Sequence, residues 1–392
     1  MTDFDVIVAG AGPAGLAAAC LVAQNGKRVA LIAGPAAADP RTVALMQPSI
    51  RLLSKLDLWP GTLRGQTAQL KCLRLVDDTG STLRAPTITF DAAELGEEEF
   101  GWNIPLALLV PAFEARAREL GVNIIAAEAT GAEATASEIM VRLSTGEAVT
   151  GKLVLAADGR NSGLREAAGM KTNDWSYDQV AIATSFAHSA SHDGMSTEYQ
   201  RAAGPCTTVP LPGGRSSLVW MERPTRAAEL MALADEDLAR EIQLANHGDL
   251  GLVSAVGPRR AFPMKGLVAR DFARNRTMLV GEAGHVVPPI GAQGLNMSLR
   301  DAAQAADIIA AATNDPGAAD CLKKYDALRR RDIQPRQQII DLMNRSLLSG
   351  LVVFEGARAA GLSLLGQFGP LRRYVMWRGL GPVSDLPRAM RG

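Results

Sequence analysis

The sequence predicts an α/β protein in which a domain built on a parallel sheet is interrupted by a mainly antiparallel sheet and followed by a helical C-terminus. Residues 6–33 run from a β-rich segment through a glycine-rich turn and an alanine-rich helix into a second apolar segment, which is typical of a right-handed βαβ unit. Residues 177–223 alternate polar and apolar side chains between Gly and Pro breaks, as antiparallel strands do. Residues 277–280 return to the fully apolar type, so the first domain is predicted to be discontinuous.

The individual elements are predicted from periodicity and from helix start and stop signals. The first unit consists of a strand over 6–9, a helix over 13–25 and a second strand over 28–33. Pro111, inside a helix predicted over 105–120, indicates a kink or a later helix start. The other predicted elements are a helix over 48–56, a strand pair over 70–76 and 82–90, strands over 121–129 and 153–157, a helix over 295–312 and a helix from 316 to about 349.

The length of 392 residues favours two or three packed units over one core. We predict that residues 1–175 and 266–340 form the two parts of a nucleotide-binding domain. Residues 176–265 form a substrate-binding domain of mainly antiparallel strands, and residues 341–392 form a helical segment. The strand pair near residues 70–90 is predicted to contribute to the substrate side.

Composition argues against several classes of function. The 41 basic and 41 acidic residues cancel, so we predict no nucleic-acid partner, and arginine pairs such as 329–330 are typical of solvated surface. The four cysteines show no CxxC spacing, and His188 and His192 have no carboxylate between them, so we predict no metal and no disulfide framework. We see no signal peptide and no run of about 18 apolar residues, and therefore expect a cytoplasmic protein without a transmembrane helix.

The turn GAGPAG at residues 10–15 predicts a bound dinucleotide. Its three glycines allow the backbone to approach a pyrophosphate, and the helix that begins at Pro13 offers free N–H groups at its positive end. A unit of this type usually ends its second strand with an acid that binds the adenosine ribose, but Ala33 stands there. Unless water or Asp39 replaces it, that contact is lost and the affinity for the nucleotide is lowered.

Two further motifs place acids at the ends of buried strands. In ADGRNSGLR, residues 157–165, Asp158 fits either a capped strand-to-helix turn or a cofactor contact. In GEAGHVVPPIGAQGLN, residues 281–296, Glu282 ends a strand and small residues open a long helix. An acid there can accept hydrogen bonds from ribityl hydroxyls, and the helix N-terminus can stabilise negative charge on a reduced flavin. The alternative is again a capped loop.

Together with RTVALMQPSIRLLSKLDLWP at 41–60, these motifs resemble the aromatic-hydroxylating flavin monooxygenases, and among them the ubiquinone-biosynthesis hydroxylases. The resemblance covers nearly the whole chain and depends on the order of the four motifs. It implies the fold of para-hydroxybenzoate hydroxylase, with a discontinuous Rossmann-like FAD-binding domain and non-covalent FAD.

The resemblance also assigns residues to the cofactor. In the family, the acid corresponding to Glu282, more often Asp, binds the ribityl chain, and the backbone corresponding to 293–296 faces the isoalloxazine ring. Arg41 matches an arginine near the polar groups of FAD, and the adenine-contacting segment ends near Ala129. The predicted cofactor-binding residues are Gly10, Gly12, Pro13, Ala14, Gly15, Ala33, Arg41, Ala129, Asp158, Gly159, Gly281, Glu282, Gln293, Gly294, Leu295 and Asn296.

The reaction implied by the resemblance is hydroxylation of the aromatic ring of a polyprenylated ubiquinone precursor. NAD(P)H or another donor reduces the flavin, O2 adds at its C4a atom, and the resulting hydroperoxide transfers one oxygen to the phenol. The catalytic residues are not identified, and His285 and Pro289 are candidates near the flavin. A protein of this kind is expected at the inner face of a bacterial inner membrane as a peripheral protein, with other quinone-biosynthesis proteins as partners. Whether it forms a homo-oligomer stays open.

Other functions also stay open at this point. FGWNIP at 100–105 is similar to the tryptophan motif of flavin halogenases, although Phe100 replaces its first tryptophan, so a halogenase or a prenyl reductase on the same scaffold is an alternative. The missing acid at Ala33 also fits a non-catalytic, FAD-binding scaffold subunit. The segment after Ser349 combines apolar residues with arginines, which fits a surface that docks on a membrane or a partner, or helices packed on the core or at a dimer interface.

Overall fold

The computed structural model describes residues 3–35, 39–81, 84–348, 352–379 and 386–392. The strands in these residues are β1 Phe4–Ala9, β2 Val29–Ile32, β3 Thr42–Met46, β4 Ala68–Leu70, β5 Cys72–Asp77, β6 Ile88–Asp91, β7 Gly101–Pro105, β8 Asn123–Ile125, β9 Ala129–Ala134, β10 Ile139–Leu143, β11 Ala148–Ala156, β12 Thr172–His188, β13 Met195–Gln200, β14 Cys206–Leu211, β15 Arg215–Glu222, β16 Val253–Ser254, β17 Arg260–Ala269, β18 Ala273–Arg274, β19 Thr277–Leu279 and β20 His285–Val286. The helices are α1 Pro13–Gln24, α2 Gln47–Lys55, α3 Leu106–Glu119, α4 Gly163–Ala167, α5 Pro224–Ala232, α6 Asp235–Ala245, α7 Gln293–Ala311, α8 Ala319–Leu348, α9 Val352–Gln367 and α10 Gly369–Gly379.

The first sheet has a parallel centre. Its neighbouring strands are β8, β2, β1, β11 and β19, and each pairs with the next in parallel. Residues 6–9 of β1 are at most 1% exposed, as is typical of the central strand of a parallel sheet, and α1 packs against this strand. Helix α1 is apolar on all sides and buries residues 15–22 against β1, β2, α3 and α7. The predicted βαβ unit is therefore confirmed, and the segments that follow β1, β11 and β19 meet at one edge of the sheet.

The second sheet is mainly antiparallel, in the order β20-β17-β12-β15-β14-β13-β5-β6. The early strands β5 and β6 join it through a parallel pairing of β5 with β13, so the strand pair near residues 70–90 lies in the same sheet as β12–β15. A small third sheet, β3-β7-β4, lies against it, and Asn103 of β7 donates to the Pro210 carbonyl oxygen at 2.8 Å and the Ser217 hydroxyl at 3.2 Å. The boundaries of the four predicted parts of the chain stay predictions.

Two predicted strands are wrong, each for a physical reason. The strand expected over 82–90 begins only at Ile88, because Pro86 has no N–H for a ladder, and residues 82–83 lie outside the described residues. The helix predicted over 105–120 is, by contrast, confirmed as α3, and it continues through Pro111 without a later start, since packing of its buried face outweighs one missing hydrogen bond. Residues 121–129 are not one strand. β8 pairs with β2, whereas β9 pairs with β10, and the chain turns between them.

In the described residues the C-terminal region is helical, as predicted, over α8, α9 and α10. Helices α9 and α10 pack against each other and against β6 and the turn after it. The last residues come back to the parallel-sheet core, where Leu386 is 4% and Met390 1% exposed. Among the helices of the described residues, none combines the length and apolarity needed to cross a bilayer.

Candidate active site

The glycine-rich turn after β1 packs tightly against the end of β11. Gly10 has a φ of +107°, and a Cβ atom on it would lie 2.2 Å from the Ala157 carbonyl oxygen. A Cβ atom on Gly15 would lie 1.9 Å from the Gly10 carbonyl oxygen. The close neighbours are backbone atoms, which cannot move aside without shifting the strand. Gly10 and Gly15 are therefore required by the fold itself, whatever the turn binds.

Gly12 is different, because no protein atom lies within 4 Å of the place where its Cβ atom would be. It precedes α1, which has no side-chain cap and no acidic residue in its first turn. Pro13 and Ala14 begin the helix, and the N–H groups of a first helical turn have no partner within the helix. An open approach to free N–H groups at the positive end of a helix suits a pyrophosphate.

The second motif lies beside this turn, since β11 is paired with β1. The Oδ2 atom of Asp158 accepts a hydrogen bond from the Leu164 N–H at 3.2 Å, so this residue is partly the turn cap of the alternative interpretation. Its Oδ1 atom is buried and has no hydrogen-bond partner among the described residues. Gly159, with a φ of +85°, also faces open space. A buried carboxylate oxygen without a donor is uncommon, and a hydroxyl group of a bound ligand can supply one.

Glu282 of the third motif faces two arginines. Its side chain is 53% exposed, and its Oε2 atom lies 4.0 Å from Nε of Arg160. Arg41 forms a bidentate pair with Asp39, with Nε 2.9 Å from Oδ1 and Nη2 2.6 Å from Oδ2. The hydrogen bond to Asp39 raises the pKa of Arg41, and the charge of Glu282 raises it further. Within the described residues the Glu282 carboxylate accepts no hydrogen bond, so it can accept hydroxyl groups of a ligand.

Helix α7 begins with an open N-terminus at the end of the third motif. Ala292, in the left-handed region with a φ of +54°, precedes Gln293, and the helix has no side-chain cap and no acid in its first turn. The side chain of Asn296 anchors this end, because Oδ1 accepts from the Met46 N–H at 3.0 Å and the Ser49 hydroxyl at 2.7 Å. Asn296 thus joins the motif at 281–296 to the motif at 41–60. The same first turn contains Gly294, which faces open space, and Leu295.

A buried charge cluster, which sequence reasoning missed, lies behind the third motif. Asp301, 1% exposed, accepts hydrogen bonds from the Gly281 N–H at 2.9 Å, from Nε2 of His285 at 2.7 Å and from Nε of Arg329 at 2.6 Å. Burial alone would raise the pKa of Asp301, but the charges of Arg329 and His285 outweigh it and hold this pKa below its ordinary value. The ring of His285 is therefore held inside the protein, 2% exposed, with Nε2 bound to Asp301.

The cluster continues to the start of α7. Asp332 accepts hydrogen bonds from Arg300 at 2.8 Å, from Arg329 at 3.0 Å and from Arg336 at 3.0 Å. Burial opposes ionisation here too, but the three guanidinium groups hold the pKa of Asp332 well below its usual range. Arg336 also donates to Oε1 of Gln293 at 3.4 Å. The expectation that 329–330 is solvated surface is wrong for Arg329, which is 1% exposed.

The structure brings most of the predicted cofactor residues together. A Cβ atom on Gly281 would lie 3.4 Å from the Cβ atom of Ala14, so the first and third motifs touch, and the second motif lies beside both. Ala33 and Ala129 lie apart from these contacts, beyond the end of β2 and at the start of β9. Pro289, a predicted candidate near the flavin, is exposed in the loop before α7.

His188 and Trp102, the tryptophan of the motif FGWNIP, also have partners inside the protein. Nδ1 of His188 lies 2.8 Å from the Ala190 carbonyl oxygen, and Nε2 lies 3.0 Å from the Ser216 hydroxyl. Nε1 of Trp102 donates to Oε1 of Glu99 at 3.3 Å. These contacts account for both side chains within the fold.

Comparison with known proteins gives the class of this chain. The FAD binding domain family matches residues 3–338. The chain is 34% identical to ubiquinone hydroxylase UbiL of Rhodospirillum rubrum, over 99% of this chain and 92% of that protein. It is 28% identical to 3-demethoxyubiquinol 3-hydroxylase of Escherichia coli, over 96% of this chain and 98% of that protein. The structure of p-nitrophenol 4-monooxygenase PnpA from Pseudomonas putida shares the fold, with a TM-score of 0.79 at 18% identity over 98% of this chain and 100% of that one.

The protein is an FAD-dependent monooxygenase, and its α/β class with parallel and antiparallel sheets is confirmed. The chain belongs to the FAD binding domain family, and the resemblance of its motifs to the ubiquinone-biosynthesis hydroxylases is confirmed as well. The residues present fit FAD. Gly12 offers an open approach for phosphate, Asp158 an unpartnered buried oxygen, and α7 an uncapped positive end. The names of these relatives favour a hydroxylase over a halogenase, a prenyl reductase or a silent scaffold.

Proposed function

We propose that this protein hydroxylates the aromatic ring of a polyprenylated ubiquinone precursor at a membrane surface. Bound FAD supplies the redox chemistry, since it takes electrons from NAD(P)H or another donor and activates O2. The chain itself binds and orients FAD and the phenol, and it keeps water away from the reacting atoms. Each of these tasks has a candidate group among the described residues.

The backbone at Gly12 would hold the pyrophosphate of FAD, and the free oxygen of Asp158 would accept one of its hydroxyl groups. Glu282 would accept hydrogen bonds from the ribityl chain, with Arg160 and Arg41 balancing its charge. The positive end of α7 would stabilise the negative charge of reduced FAD, because this end carries no acid and no side-chain cap. Asp301 would keep the loop that carries Glu282 in position through its bond to the Gly281 N–H.

The phenol ring would lie between the loop before α7 and the antiparallel sheet. On that side Ile290 packs in a buried cluster with Tyr177, Met221 and Met264. Apolar walls of this kind exclude water from the reacting atoms and leave the ring's own hydroxyl group as the main polar feature to be oriented.

The proposal that the substrate has a long apolar tail depends on a second apolar cluster, separate from the one that contains Ile290. It connects Ala292, directly before α7, through Ile88 and Phe90 on β6 to Leu365 on α9 and Met376 on α10. An isoprenoid chain that lies against such apolar side chains has a low desolvation cost. The cluster extends from Ala292, beside the proposed ring site, to the C-terminal helices.

The outer faces of these helices support contact with a membrane. Leu364 is 55%, Phe368 54% and Tyr374 54% exposed, and Arg373 is exposed beside them. Exposed apolar side chains next to arginines suit the headgroup layer of an anionic bilayer, where each basic residue contributes about 1 kcal/mol. The substrate tail would then enter the protein without crossing water.

The last residues of the predicted C-terminal segment are not part of this surface. Leu386 and Met390 are buried in the parallel-sheet core, and the Arg388 N–H donates to Asp307 at 2.8 Å. Deletion of everything after residue 351 would therefore damage the FAD-binding core as well as the surface. Point substitutions on α9 test the surface role more cleanly.

The proposed reaction is tested by the quinone profile of cells that lack this protein. We expect one under-hydroxylated, polyprenylated precursor to accumulate, and its structure identifies the ring carbon. The wild-type gene restores the profile, whereas the Glu282→Ala variant does not. An unchanged profile in the deleted strain contradicts the proposal.

The membrane contact is tested with two double variants. Leu364→Ser with Phe368→Ser changes the proposed surface, and Leu244→Ser with Leu252→Ser removes apolar side chains that are 72% and 71% exposed elsewhere. We expect only the first pair to lose flotation with anionic phospholipid vesicles and turnover of a long-tailed phenol, while a short-tailed analogue is still hydroxylated. Equal behaviour of the two double variants would show that the surface role is wrong.

A further inference from the structure

The end of β2 lacks the acid that usually binds the adenosine ribose of a dinucleotide, because Ala33 and then Gly34 stand there. Asp39, one replacement expected from the sequence, is already engaged. Its Oδ1 atom accepts from the N–H and Nε of Arg41 at 3.0 and 2.9 Å, and Oδ2 accepts from Nε and Nη2 at 2.9 and 2.6 Å. Both carboxylate oxygens of Asp39 therefore already accept hydrogen bonds from Arg41.

A different carboxylate lies at the end of β2. The chain turns between β8 and β9, and this turn places the side chain of Glu128 across the backbone of Gly34. A Cβ atom on Gly34 would lie 3.0 Å from Cγ and 3.4 Å from Oε1 of Glu128. Because Gly34 has no side chain and Ala33 carries only a methyl group, the Glu128 carboxylate has room to rest where the usual acid would stand.

The backbone of Glu128 is fixed while its carboxylate is not engaged. Its N–H donates to the Ser144 hydroxyl at 3.0 Å, and its carbonyl oxygen accepts from the Ser144 N–H at 2.8 Å. The Ala33 N–H donates to the Ile125 carbonyl oxygen at 2.9 Å, which holds the two turns side by side. The side chain is exposed, and in the part of the chain that the structure describes no group forms a hydrogen bond or an ion pair with its carboxylate.

We propose that Glu128 binds the ribose hydroxyls of the adenosine half of FAD and so replaces the acid missing at position 33. The two oxygens of a carboxylate can each accept one of two neighbouring hydroxyl groups, and such charge-assisted hydrogen bonds are strong. Ala129, predicted near the adenine, is the next residue, so one turn would contact both the sugar and the base. The acid has moved from the end of β2 to the turn after the neighbouring strand β8.

The test compares FAD with FMN, which lacks the adenosine ribose, in titrations of the apoprotein. Glu128→Ala is expected to raise the Kd for FAD about tenfold, or about 1.4 kcal/mol, and to leave the Kd for FMN unchanged. Adding Ala33→Glu to this variant is expected to restore most of the FAD affinity, because it returns an acid to the end of β2. The control is Glu133→Ala, which removes an exposed carboxylate paired with Arg142 on the nearby β9–β10 hairpin and is expected to change neither Kd.

The outcomes separate this role from the proposed placement of FAD on which it rests. If Glu128→Ala leaves FAD binding unchanged, or weakens FAD and FMN equally, Glu128 is not the ribose ligand. If the wild-type apoprotein binds neither flavin, the placement of FAD itself is wrong. Loss of FAD affinity alone, together with rescue by Ala33→Glu, supports the relocated acid and cannot arise from a general loss of folding, because FMN binding reports an intact site.

Discussion

Whereas the turn after β1 is held by close packing of backbone atoms, the loop after β19 is held by buried charges. At the first, Gly10 and Gly15 approach neighbouring carbonyl oxygens so closely that no Cβ atom fits. At the second, Asp301 binds the backbone of Gly281 and is itself balanced by Arg329. The two regions belong to the same proposed FAD site and contact each other.

The difference shows that two parts of one cofactor site can be sensitive to different kinds of substitution. The packed turn depends on side-chain volume and is indifferent to charge. The charged loop depends on each member of a network, because removal of one partner leaves another ion buried without compensation. Adding even one methyl group to a glycine should therefore damage the first region. Neutralising a single charge should damage the second.

The largest effect is expected from Asp301→Asn. This change leaves Arg329 buried without its main counter-charge, and breaking a buried pair costs about 3–5 kcal/mol. The free energy of unfolding from urea denaturation measures the loss. The control is Asp307→Asn, whose partner Arg388 is 62% exposed and whose loss should cost at most about 1 kcal/mol. Equal losses in the two variants would show that the network does not hold the loop.

The next effect distinguishes two glycines of one turn. Gly15→Ala places a methyl group against the Gly10 carbonyl oxygen, and overpacking of this kind costs about 1–3 kcal/mol of folding stability. Gly12→Ala meets no protein atom, so we expect stability within about 0.5 kcal/mol of wild type. Its FAD affinity should nevertheless fall, because the methyl group occupies the approach proposed for the pyrophosphate. Thermal unfolding of the apoprotein and FAD titration check both results, and similar stability losses would contradict the contrast.

A third substitution should weaken FAD binding while leaving the folding stability of the apoprotein almost unchanged. Glu282→Ala removes the proposed acceptor of the ribityl hydroxyls, and a hydrogen bond to a charged group contributes about 1.5–3 kcal/mol. We therefore expect the Kd for FAD to rise about 10-fold to 100-fold, measured by quenching of flavin fluorescence. The stability of the apoprotein should hardly change, because Glu282 is half exposed and its ion pair to Arg160 is long. An unchanged Kd would refute the role of Glu282.

The smallest effect expected is on the pH dependence of the free energy of unfolding, to which the charged region contributes at acid pH. In the folded protein the pKa of Asp301 lies below its ordinary value of about 3.9, so its contribution to stability is complete above that pH and is lost as the pH falls through the lowered value. His285, Arg329 and Tyr325 face this carboxylate. Stability should therefore fall more steeply below about pH 4 in wild type than in Asp301→Asn. Parallel slopes in denaturation at pH 3 to 7 would contradict this assignment.

The packed region could be predicted from the sequence, because its determinants are local. The spacing of Gly10 and Gly15 between a strand and a helix indicates a tight turn without knowledge of any distant residue. The charged region could not, since Asp301 and Arg329 meet only after the chain has folded. One signal was available, because an acid in a helix rich in small apolar residues implies a buried partner.

The same distinction applies to the rest of the fold. The parallel strands were predictable from continuous apolar runs, and the C-terminal helices from composition. The turn at Glu128 was not, because residues 121–129 have the composition of one strand and only their pairing with two different neighbours separates β8 from β9. The place of the ribose acid therefore depends on tertiary structure rather than on a motif.

The most direct test of the central claim is the origin of the oxygen atom in the product. Purified protein loaded with FAD is supplied with NAD(P)H, a polyprenylated phenol and ¹⁸O2, and the products are analysed by mass spectrometry. A flavin-dependent hydroxylase places one ¹⁸O atom on the ring and releases the other as water. Consumption of NAD(P)H with formation of hydrogen peroxide and no labelled phenol, under conditions in which the substrate is bound, would contradict the account.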